Sequence, residues 1–462
     1  MHQSVLPALI VAATCLAPAA AQVAAIKRAI ADAEARAVRT GVVACDENGK
    51  VLYRHRALEA FTPASNMKVI TAAAVLDGLG PDFEFVTTFR VQDGELIVEA
   101  SGDPNLIAET ASDPVKVFFA VSSKLRSLGI DELRAVRLIP GSFTGPTRPP
   151  SWPKDQQHTY YCAPTSGFAM QQGTFVVSLR NTGGSNANLK LVAPPAGYAL
   201  SGTVPLVATK KGATYGAIDQ SGTIKVRGKF YRKSPRVQIR TSMNEPERWY
   251  RDTLLHQLSL GEIRINPSAK KVTEGIVHRH RSGIAPALRR MLEESSNFDA
   301  EQCTRVLGAI KNSDGSLEGG RKALIEQLTV MLGKMPEDIV IADGSGLSKQ
   351  NRLTPGALVV AMFQSIGGED GLILRNSLPI AGRSGTLASR FRNTDLVGRV
   401  RAKTGWIRGA SSLSGVVERS GGDRCWFSIL MNYDRSRGAM NKGLKKLQED
   451  MVAAVHAWKG SR

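Results

Sequence analysis

The sequence predicts an α+β fold in which one domain of helices and strands is interrupted by a long β-rich insert. Helical apolar patterning begins near residue 65 and returns from about residue 285. Between them, residues 84–260 show short alternating segments and loops rich in Gly, Pro, Ser and Thr. The chain has 462 residues, too many for one compact core. We therefore predict a discontinuous domain, 22–83 with 261–462, around an insert large enough for two subdomains.

Residues 1–21 are predicted to be a secretory signal peptide. They contain no Lys, Arg, Asp or Glu, and an apolar run from Leu6 to Ala17 ends in small residues that suit cleavage before Gln22. The segment departs from the usual pattern because no basic residue precedes the apolar run. A buried N-terminal helix is the alternative. No other segment is long enough to span a bilayer, so we expect an exported, periplasmic protein without a transmembrane span.

The remaining elements of the domain follow from local patterns. Residues 24–38 have helical spacing, and 40–53 alternate around a turn at 47–49, as a hairpin does. Ser65 begins a further helix, whose apolar body ends at Gly78. Toward the end of the chain the patterns predict strands at 398–404, 413–418 and 425–432, and a terminal helix at 440–458 whose apolar stripe packs on the sheet rather than on a membrane.

The cysteines and histidines do not predict a metal site or a cofactor. Beyond the signal, the chain has four cysteines at wide spacing, which leaves both free thiols and three disulfide pairings open. His278 and His280 have no third ligand at a sensible spacing. No cofactor is expected. The four cysteines are Cys45, Cys162, Cys303 and Cys425.

The net charge of +19 predicts an anionic partner. Nucleic acid is not expected, because the basic residues are scattered and no nucleic-acid motif accompanies them; the longest cluster is 278–281. For an exported protein, the charge favours an anionic envelope polymer or membrane surface.

Ser65 and Lys68 are candidates for a nucleophile and its base. A serine hydroxyl needs a neighbouring base, and the chain has neither a G-x-S-x-G elbow nor an obvious histidine partner. At i,i+3 on a helix, the hydroxyl of Ser65 and the amine of Lys68 lie on one face. The amine must be neutral to accept a proton, which requires burial or a second cation nearby. Lys403 is the candidate for that cation.

Each short motif is weak by itself. Ser268 to Lys271 repeats the S-x-x-K pattern without an apolar helix after it, and 242–244 repeats the S-x-N pattern of 295–297. Lys403-Thr404-Gly405 is the only K-T-G, with loose analogues at 281–283 and 383–385. Taken singly, such motifs are more often capping serines, loops and turns than catalytic groups. Their order and context change that interpretation.

Ser-x-x-Lys at 65–68, Ser-x-Asn at 295–297 and Lys-Thr-Gly at 403–405, in this order, resemble the motifs of the penicillin-binding proteins and serine β-lactamases. The chain is most similar to the class C low-molecular-mass penicillin-binding proteins, in which a large insert separates the first motif from the second. Family-like stretches also occur at 101–104, 343–348 and 377–382. One departure is Ser296, where the family commonly has Asp.

The resemblance implies an antiparallel sheet flanked by helices and a shared acylation chemistry. Ser65 attacks the carbonyl between two D-alanines, Lys68 accepts its proton, and Ser295 relays a proton to the departing amine. The backbone N–H groups of Ser65 and Trp406 form the oxyanion hole.

The resemblance also implies a set of substrate-binding residues. Asn297 binds the substrate amide, Lys403 holds the terminal carboxylate with help from the Thr404 hydroxyl, and Gly405 lets the peptide lie close to its strand.

The predicted function is therefore that of a serine D-Ala-D-Ala carboxypeptidase, with DD-endopeptidase action as an extension. The expected partners are peptidoglycan peptides ending in D-Ala-D-Ala, and β-lactams as covalent inhibitors. A non-catalytic envelope-binding or penicillin-sensing protein is one alternative, suggested by the insert and the charge. A β-lactamase or esterase is another, although such enzymes do not need so large an insert.

Overall fold

A computed structural model of the protein describes residues 20–192, 197–269, 274–367, 371–420, 422–438 and 440–458. Most of the predicted signal peptide and the two lysines of the second S-x-x-K copy, Lys270 and Lys271, lie outside the described residues. Within the described chain, two compact units are present. The first unit combines Met1–Asp82, Ala285–Asn312 and Glu318–Arg462, and the second combines Phe83–Ile284 and Ser313–Leu317.

The elements follow one another as the sequence alternation suggests. The first segment contains α1 (Ala20–Glu34), β1 (Val38–Asp46), β2 (Val51–His55) and α2 (Met67–Leu79). The second unit contains β3 (Glu84–Gln92), β4 (Glu95–Glu99), α3 (Pro114–Ser127), β5 (Glu132–Leu133), β6 (Ala135–Ile139), β7 (Thr174–Arg180), β8 (Asn188–Val192), β9 (Ala199–Ser201), β10 (Leu206–Val207), β11 (Thr214–Gln220), β12 (Thr223–Tyr231), β13 (Val237–Ser242), α4 (Pro246–Leu260), β14 (Arg264–Ile265) and β15 (Gly275–Gly283).

The chain then returns to the first unit. This last part contains α5 (Ala285–Glu293), α6 (Asn297–Asn312), α7 (Leu317–Leu332), α8 (Pro355–Gly367), α9 (Leu372–Ser377), β16 (Val400–Ile407), β17 (Ala410–Glu418), β18 (Arg424–Tyr433) and α10 (Asn441–His456).

The first unit is built on one antiparallel sheet of five strands, in the order β16-β17-β18-β1-β2. On one face, α1 and α10 contribute Ile26, Ile30, Leu444 and Met451 to a core shared with strand residues such as Phe427. The stripe of the terminal helix therefore packs on the sheet, as predicted. On the other face lies α8, which also packs against α2.

The helix α2 is buried along almost its whole length, because Val69 to Leu76 are apolar or small on every side. A helix that is hydrophobic all round is stable only in the interior of a domain. It therefore fixes the turn that precedes it, which contains Ser65, against the sheet.

The second unit is β-rich, with α3 and α4 among its strands. Its sheets have the orders β15-β3-β4-β6, β13-β7-β8 and β10-β12-β11, with β9 beside β12 and β14 paired with β5. The longer segment of this unit ends at Ile284, whereas the insert was predicted to end at residue 260. The reason is β15, which pairs with β3 in antiparallel register and so belongs to the second unit.

The four cysteines of the described chain are buried, and they form no disulfide with one another. Cys45 is opposite Trp426 in the β1–β18 register, so the adjacent Cys425 points to the other face of the sheet. The described cysteines are therefore thiols rather than disulfides, one of the alternatives that spacing left open. Within the described ranges, no helix has the length and apolarity needed to cross a bilayer.

Candidate active site

Ser65 lies in a one-turn 3-10 helix, Ala64–Asn66, that leads directly into α2. The side-chain amide of Asn66 donates to the Lys403 carbonyl at 3.0 Å, and the Ser412 hydroxyl donates to the Pro63 carbonyl at 2.7 Å. These two bonds attach the turn to β16 and β17. Ala64 has a left-handed backbone conformation, with φ of 49°. A non-glycine residue there costs about 1–3 kcal/mol, so packing around the turn holds Ser65 in place.

The Lys68 side chain is fully buried directly beneath Ser65. Its Nζ donates to Ser65 Oγ at 3.2 Å, to Asn297 Oδ1 at 2.6 Å and to the Ser345 carbonyl at 2.6 Å. These are as many hydrogen bonds as a charged ammonium can donate. The predicted contact between Ser65 and Lys68 is therefore present, and an amide from the second motif is part of the same cluster.

Burial lowers the pKa of Lys68 from 10.5 to about 7. The carboxyl groups of Asp343 and Glu301 act in the opposite direction and limit the fall. The sequence offered Lys403 as the cation that would depress this pKa, but the main cause is removal from water. A lysine with a pKa near neutrality is largely able to accept a proton at physiological pH.

Ser295 also has a left-handed backbone, with φ of 63°, at the connection between α5 and α6. The Lys403 amine donates to Ser295 Oγ at 2.8 Å and to the Thr404 carbonyl at 2.9 Å. Lys403 is fully buried, and burial together with the nearby Lys68 lowers its pKa well below the usual range. The second and third motifs thus meet through the bond between Lys403 and Ser295.

The third motif occupies β16, with Thr404 half-buried and Trp406 exposed to 48%. The hydroxyls of Thr404 and Thr386 are 2.8 Å apart. Thr386 directly follows the loose K-T-G analogue at 383–385. This hydrogen bond therefore brings the end of that analogue next to the Lys403-Thr404-Gly405 motif. A Cβ on Gly405 would lie 2.1 Å from Ser412 Oγ and 2.9 Å from the Pro63 carbonyl. Internal packing against the Ser65 turn therefore requires this glycine, a reason that the sequence interpretation did not include.

Glu301 and the loop 343–348 are part of the site, although sequence reasoning gave them no role. The carboxylate of Glu301 accepts the backbone N–H groups of Ser345 at 2.8 Å and Gly344 at 3.3 Å. This orients the Ser345 carbonyl that receives the Lys68 amine. Burial and the nearby Asp343 raise the pKa of Glu301 to about 8. One feature of the sequence could have pointed to Glu301: it is a charged residue one helical turn after Asn297, on the same face of α6.

Asp343 holds the same loop from within. Its carboxylate accepts the backbone N–H of Gly346 at 2.7 Å, that of Ser348 at 2.6 Å and the Asn351 amide at 2.7 Å. Gly346 needs its freedom here, because φ is +80° and an added Cβ would lie 1.9 Å from the Ala64 carbonyl. The loop is thus built to support both the Ser65 turn and the Lys68 amine.

Two of the other motif copies, at 242–244 and 281–283, belong to the second unit. Ser242, in the second S-x-N copy, accepts a hydrogen bond from Arg148 at 2.8 Å and stands at the end of β13. Ser282, in the analogue at 281–283, is bonded to Asp103 at 2.8 Å. These serines have structural partners in their own unit. In the part of the chain that the structure describes, no group of three or more His, Cys, Asp or Glu side chains is arranged to hold a metal ion.

Chemically, the cluster offers a hydroxyl beside a buried amine that is half neutral near pH 7. A second hydroxyl, Ser295, is bonded to another buried amine, and an amide, Asn297, is bonded to the first. Such an arrangement can pass a proton from an attacking serine to a leaving group, which is the requirement for acyl transfer.

Comparisons with known proteins agree with this chemistry. The family model described as the D-Ala-D-Ala carboxypeptidase 3 (S13) family matches residues 22–453. A D-alanyl-D-alanine carboxypeptidase from Actinomadura sp. (strain R39) is 27% identical over 426 residues, which cover 85% of this chain and 77% of that protein.

Two solved structures show the same fold. Penicillin binding protein 4 (dacB) from Haemophilus influenzae has a TM-score of 0.78 at 22% identity, covering 94% of this chain and 99% of that one. A structure of the same protein complexed with a novel beta-lactam has a TM-score of 0.73 at 21% identity, covering 95% and 99%. The predicted α+β fold with a large insert is confirmed.

Proposed function

The chain belongs to the D-Ala-D-Ala carboxypeptidase 3 (S13) family, and with it to the class C low-molecular-mass penicillin-binding proteins. We propose on that premise that it is a serine D-Ala-D-Ala carboxypeptidase that cleaves peptidoglycan stem peptides through an acyl-enzyme. The observation that carries the proposal is the bond from the fully buried Lys68 amine to the Ser65 hydroxyl. The relatives support the reaction class, and the geometry supports the choice of residues.

Acylation starts with proton transfer from Ser65 Oγ to the neutral Lys68 amine, at 3.2 Å in the resting site. The serine oxygen then attacks the carbonyl carbon of the penultimate D-alanine. The backbone N–H groups of Ser65 and Trp406 hold the oxygen that becomes negative. Collapse of this intermediate breaks the peptide bond, and Ser295 relays a proton to the departing amine of the last D-alanine.

Substrate binding uses the other two motifs. The Lys403 amine, with the Thr404 hydroxyl, attracts the terminal carboxylate of the substrate, while Asn297 bonds its amide. Lys403 lies in a water-excluded position, where a carboxylate would stabilise its charged form. We propose that Gly405, which has no side chain, lets the substrate peptide lie close to β16. In the structure, an added Cβ at this position would collide with the Ser65 turn.

Water releases the acyl-enzyme and frees the shortened peptide. A β-lactam would also form an ester with Ser65. Because this ester would hydrolyse slowly, the β-lactam would act as a covalent inhibitor. DD-endopeptidase action is part of the proposal, because a peptide cross-link presents the same D-alanine carbonyl to the serine. We place the enzyme in the periplasm, after removal of residues 1–21, where peptidoglycan is available, and expect an anionic envelope component among its partners.

The test is mass spectrometry after incubation with penicillin, combined with an assay of D-alanine release from a stem-peptide analogue. We expect one adduct on the peptide containing Ser65, and loss of both adduct and D-alanine release in Ser65→Ala. Ser242→Ala, in the second S-x-N copy, is the control and should retain both activities. Retention on peptidoglycan without turnover would instead support a non-catalytic binding protein, and rapid turnover of penicillin would support a β-lactamase.

A further inference from the structure

The hairpin of β11 and β12 in the second unit has a strongly basic outer face. Residues 201–240 contain nine Lys and Arg and a single acidic residue, Asp219. Asp219 is buried on the inner face and accepts the backbone N–H of Asn244. The exposed charge of this region is therefore entirely positive.

Three of these cations form a row along β12. Lys225, Arg227 and Lys229 alternate with the buried residues Val226 and Phe230, so their side chains point outward on one face. Successive members are about 7 Å apart, since a strand rises about 3.3–3.4 Å per residue. The backbone of β12 is hydrogen-bonded to β11, which keeps this spacing fixed.

The strand neighbours on β11 do not neutralise the row. In register, Lys225 is opposite Ile218, Arg227 opposite Gly216, and Lys229 opposite Thr214.

None of the three cations makes an ion pair with another described residue. Other exposed arginines of the second unit do so: Arg137 is 3.0 Å from Glu95, and Arg281 is 2.9 Å from Glu84. Three like charges in line repel one another, so the row is at its most favourable when an outside anion is bound.

We propose that this row is a non-catalytic docking surface for the carboxylates of peptidoglycan, which keeps the enzyme on its polymeric substrate. The inference rests on the proposed function and adds a second point of contact to it. An extended polymer with repeated carboxylates fits a straight row of fixed cations. A bilayer surface fits less well, because membrane-bound faces flank their cations with several inserted apolar side chains. Opposite this row stand Thr214, Gly216 and a single exposed apolar side chain, Ile218.

A weak second contact is enough to matter for an insoluble substrate. Once the row is bound, the active site meets neighbouring stem peptides at a high effective concentration without any tighter binding of its own. Exposed charge pairs are screened by salt, so the retention they give must fall as ionic strength rises.

The test compares two variants that each lose three charges from the second unit. One is Lys225→Gln, Arg227→Gln and Lys229→Gln together. The matched control is Lys116→Gln, Lys124→Gln and Lys154→Gln, which removes exposed lysines that make no ion pair with described residues. Each is sedimented with purified sacculi, and separately with vesicles of anionic phospholipid, at about 50 and about 300 mM salt.

We expect the row variant to lose about tenfold or more of its affinity for sacculi at low salt, and its remaining binding should depend less on salt than that of the unaltered protein. The control variant should bind like the unaltered protein, and all three should release D-alanine from a soluble peptide at the same rate. Equal losses in both variants, undiminished binding of the row variant, or binding to vesicles in place of sacculi would overturn the inference. If neither the unaltered protein nor the two variants released D-alanine, the proposed function would be wrong. The sedimentation results would still test the docking surface.

Discussion

Acylation of Ser65 should accelerate as pH rises through about 7, because only the neutral form of Lys68 can accept the serine proton. Burial lowers the pKa of this amine from 10.5 to about 7. The direction follows from the group: the protonated, inactive form dominates below the pKa and the neutral form above it. At pH 5 roughly one site in a hundred has a neutral Lys68, so acylation should be roughly a hundredfold slower than its plateau.

The assay is the second-order rate of acylation by a fluorescent penicillin, measured in stopped flow between pH 5 and pH 9. Because acylation is followed directly, slow release of the acyl group does not obscure the result. Lys68→Arg should be inactive over the whole range, since a guanidinium stays protonated. A flat profile, or a rate that still rises without a plateau at pH 9, as the ordinary lysine pKa of about 10.4 would give, would refute the idea that burial prepares this base.

Lys403→Gln separates the two explanations for the shift. If burial is the main cause, this variant acylates more slowly because carboxylate binding is weakened, but the midpoint of its pH profile stays near that of the unaltered enzyme. A midpoint displaced upward by about one unit or more would show that the charge of Lys403 had been lowering the Lys68 pKa.

Three further predictions concern the support of the site and of the domain. Glu301→Ala leaves two buried backbone N–H groups without their carboxylate and should slow penicillin acylation about tenfold or more, whereas Glu301→Gln keeps an acceptor oxygen and should retain most of the rate. Gly346→Ala forces a Cβ to 1.9 Å from a carbonyl, so urea unfolding should show a loss of about 3 kcal/mol or more; Gly141→Ala, also at positive φ but with open space, should lose less. Arg390→Ala removes hydrogen bonds to three residues of α10 and should cost about 2–4 kcal/mol in the same assay.

Much of the first unit could be predicted because its elements have strong local signals. The apolar body after Ser65, the turn at 47–49 and the alternation at 425–432 each correspond to an observed element. The strand β15 could not be found in this way. Its sequence, 275–283, alternates histidines and arginines rather than apolar side chains, and only its pairing with β3 places it in the second unit. For that reason the predicted return to the first unit came too early along the chain.

For the site, the motifs predicted which groups come together but not the causes of their properties. Burial of Lys68 depends on α2, α6 and the loop 343–348 together, which no local pattern reports. Glu301 is a further example: it lies in α6, is buried, and accepts hydrogen bonds from backbone N–H groups of a loop distant in sequence. A buried charge inside a helix runs against hydrophobic patterning, and such exceptions tend to occur where function requires them.

The departure at Ser296 has a structural explanation that links local sequence to the chemistry. Its hydroxyl accepts the backbone N–H of Asp299 at 3.2 Å, immediately before α6 begins at Asn297. Ser and Asp are comparably good residues for this capping position, and replacing either with Ala typically costs about 1 kcal/mol. Serine therefore preserves the start of α6, and with it the position of the Asn297 oxygen 2.6 Å from the Lys68 amine. What this position requires is a short acceptor side chain, and a residue without one would loosen the amide that Lys68 contacts.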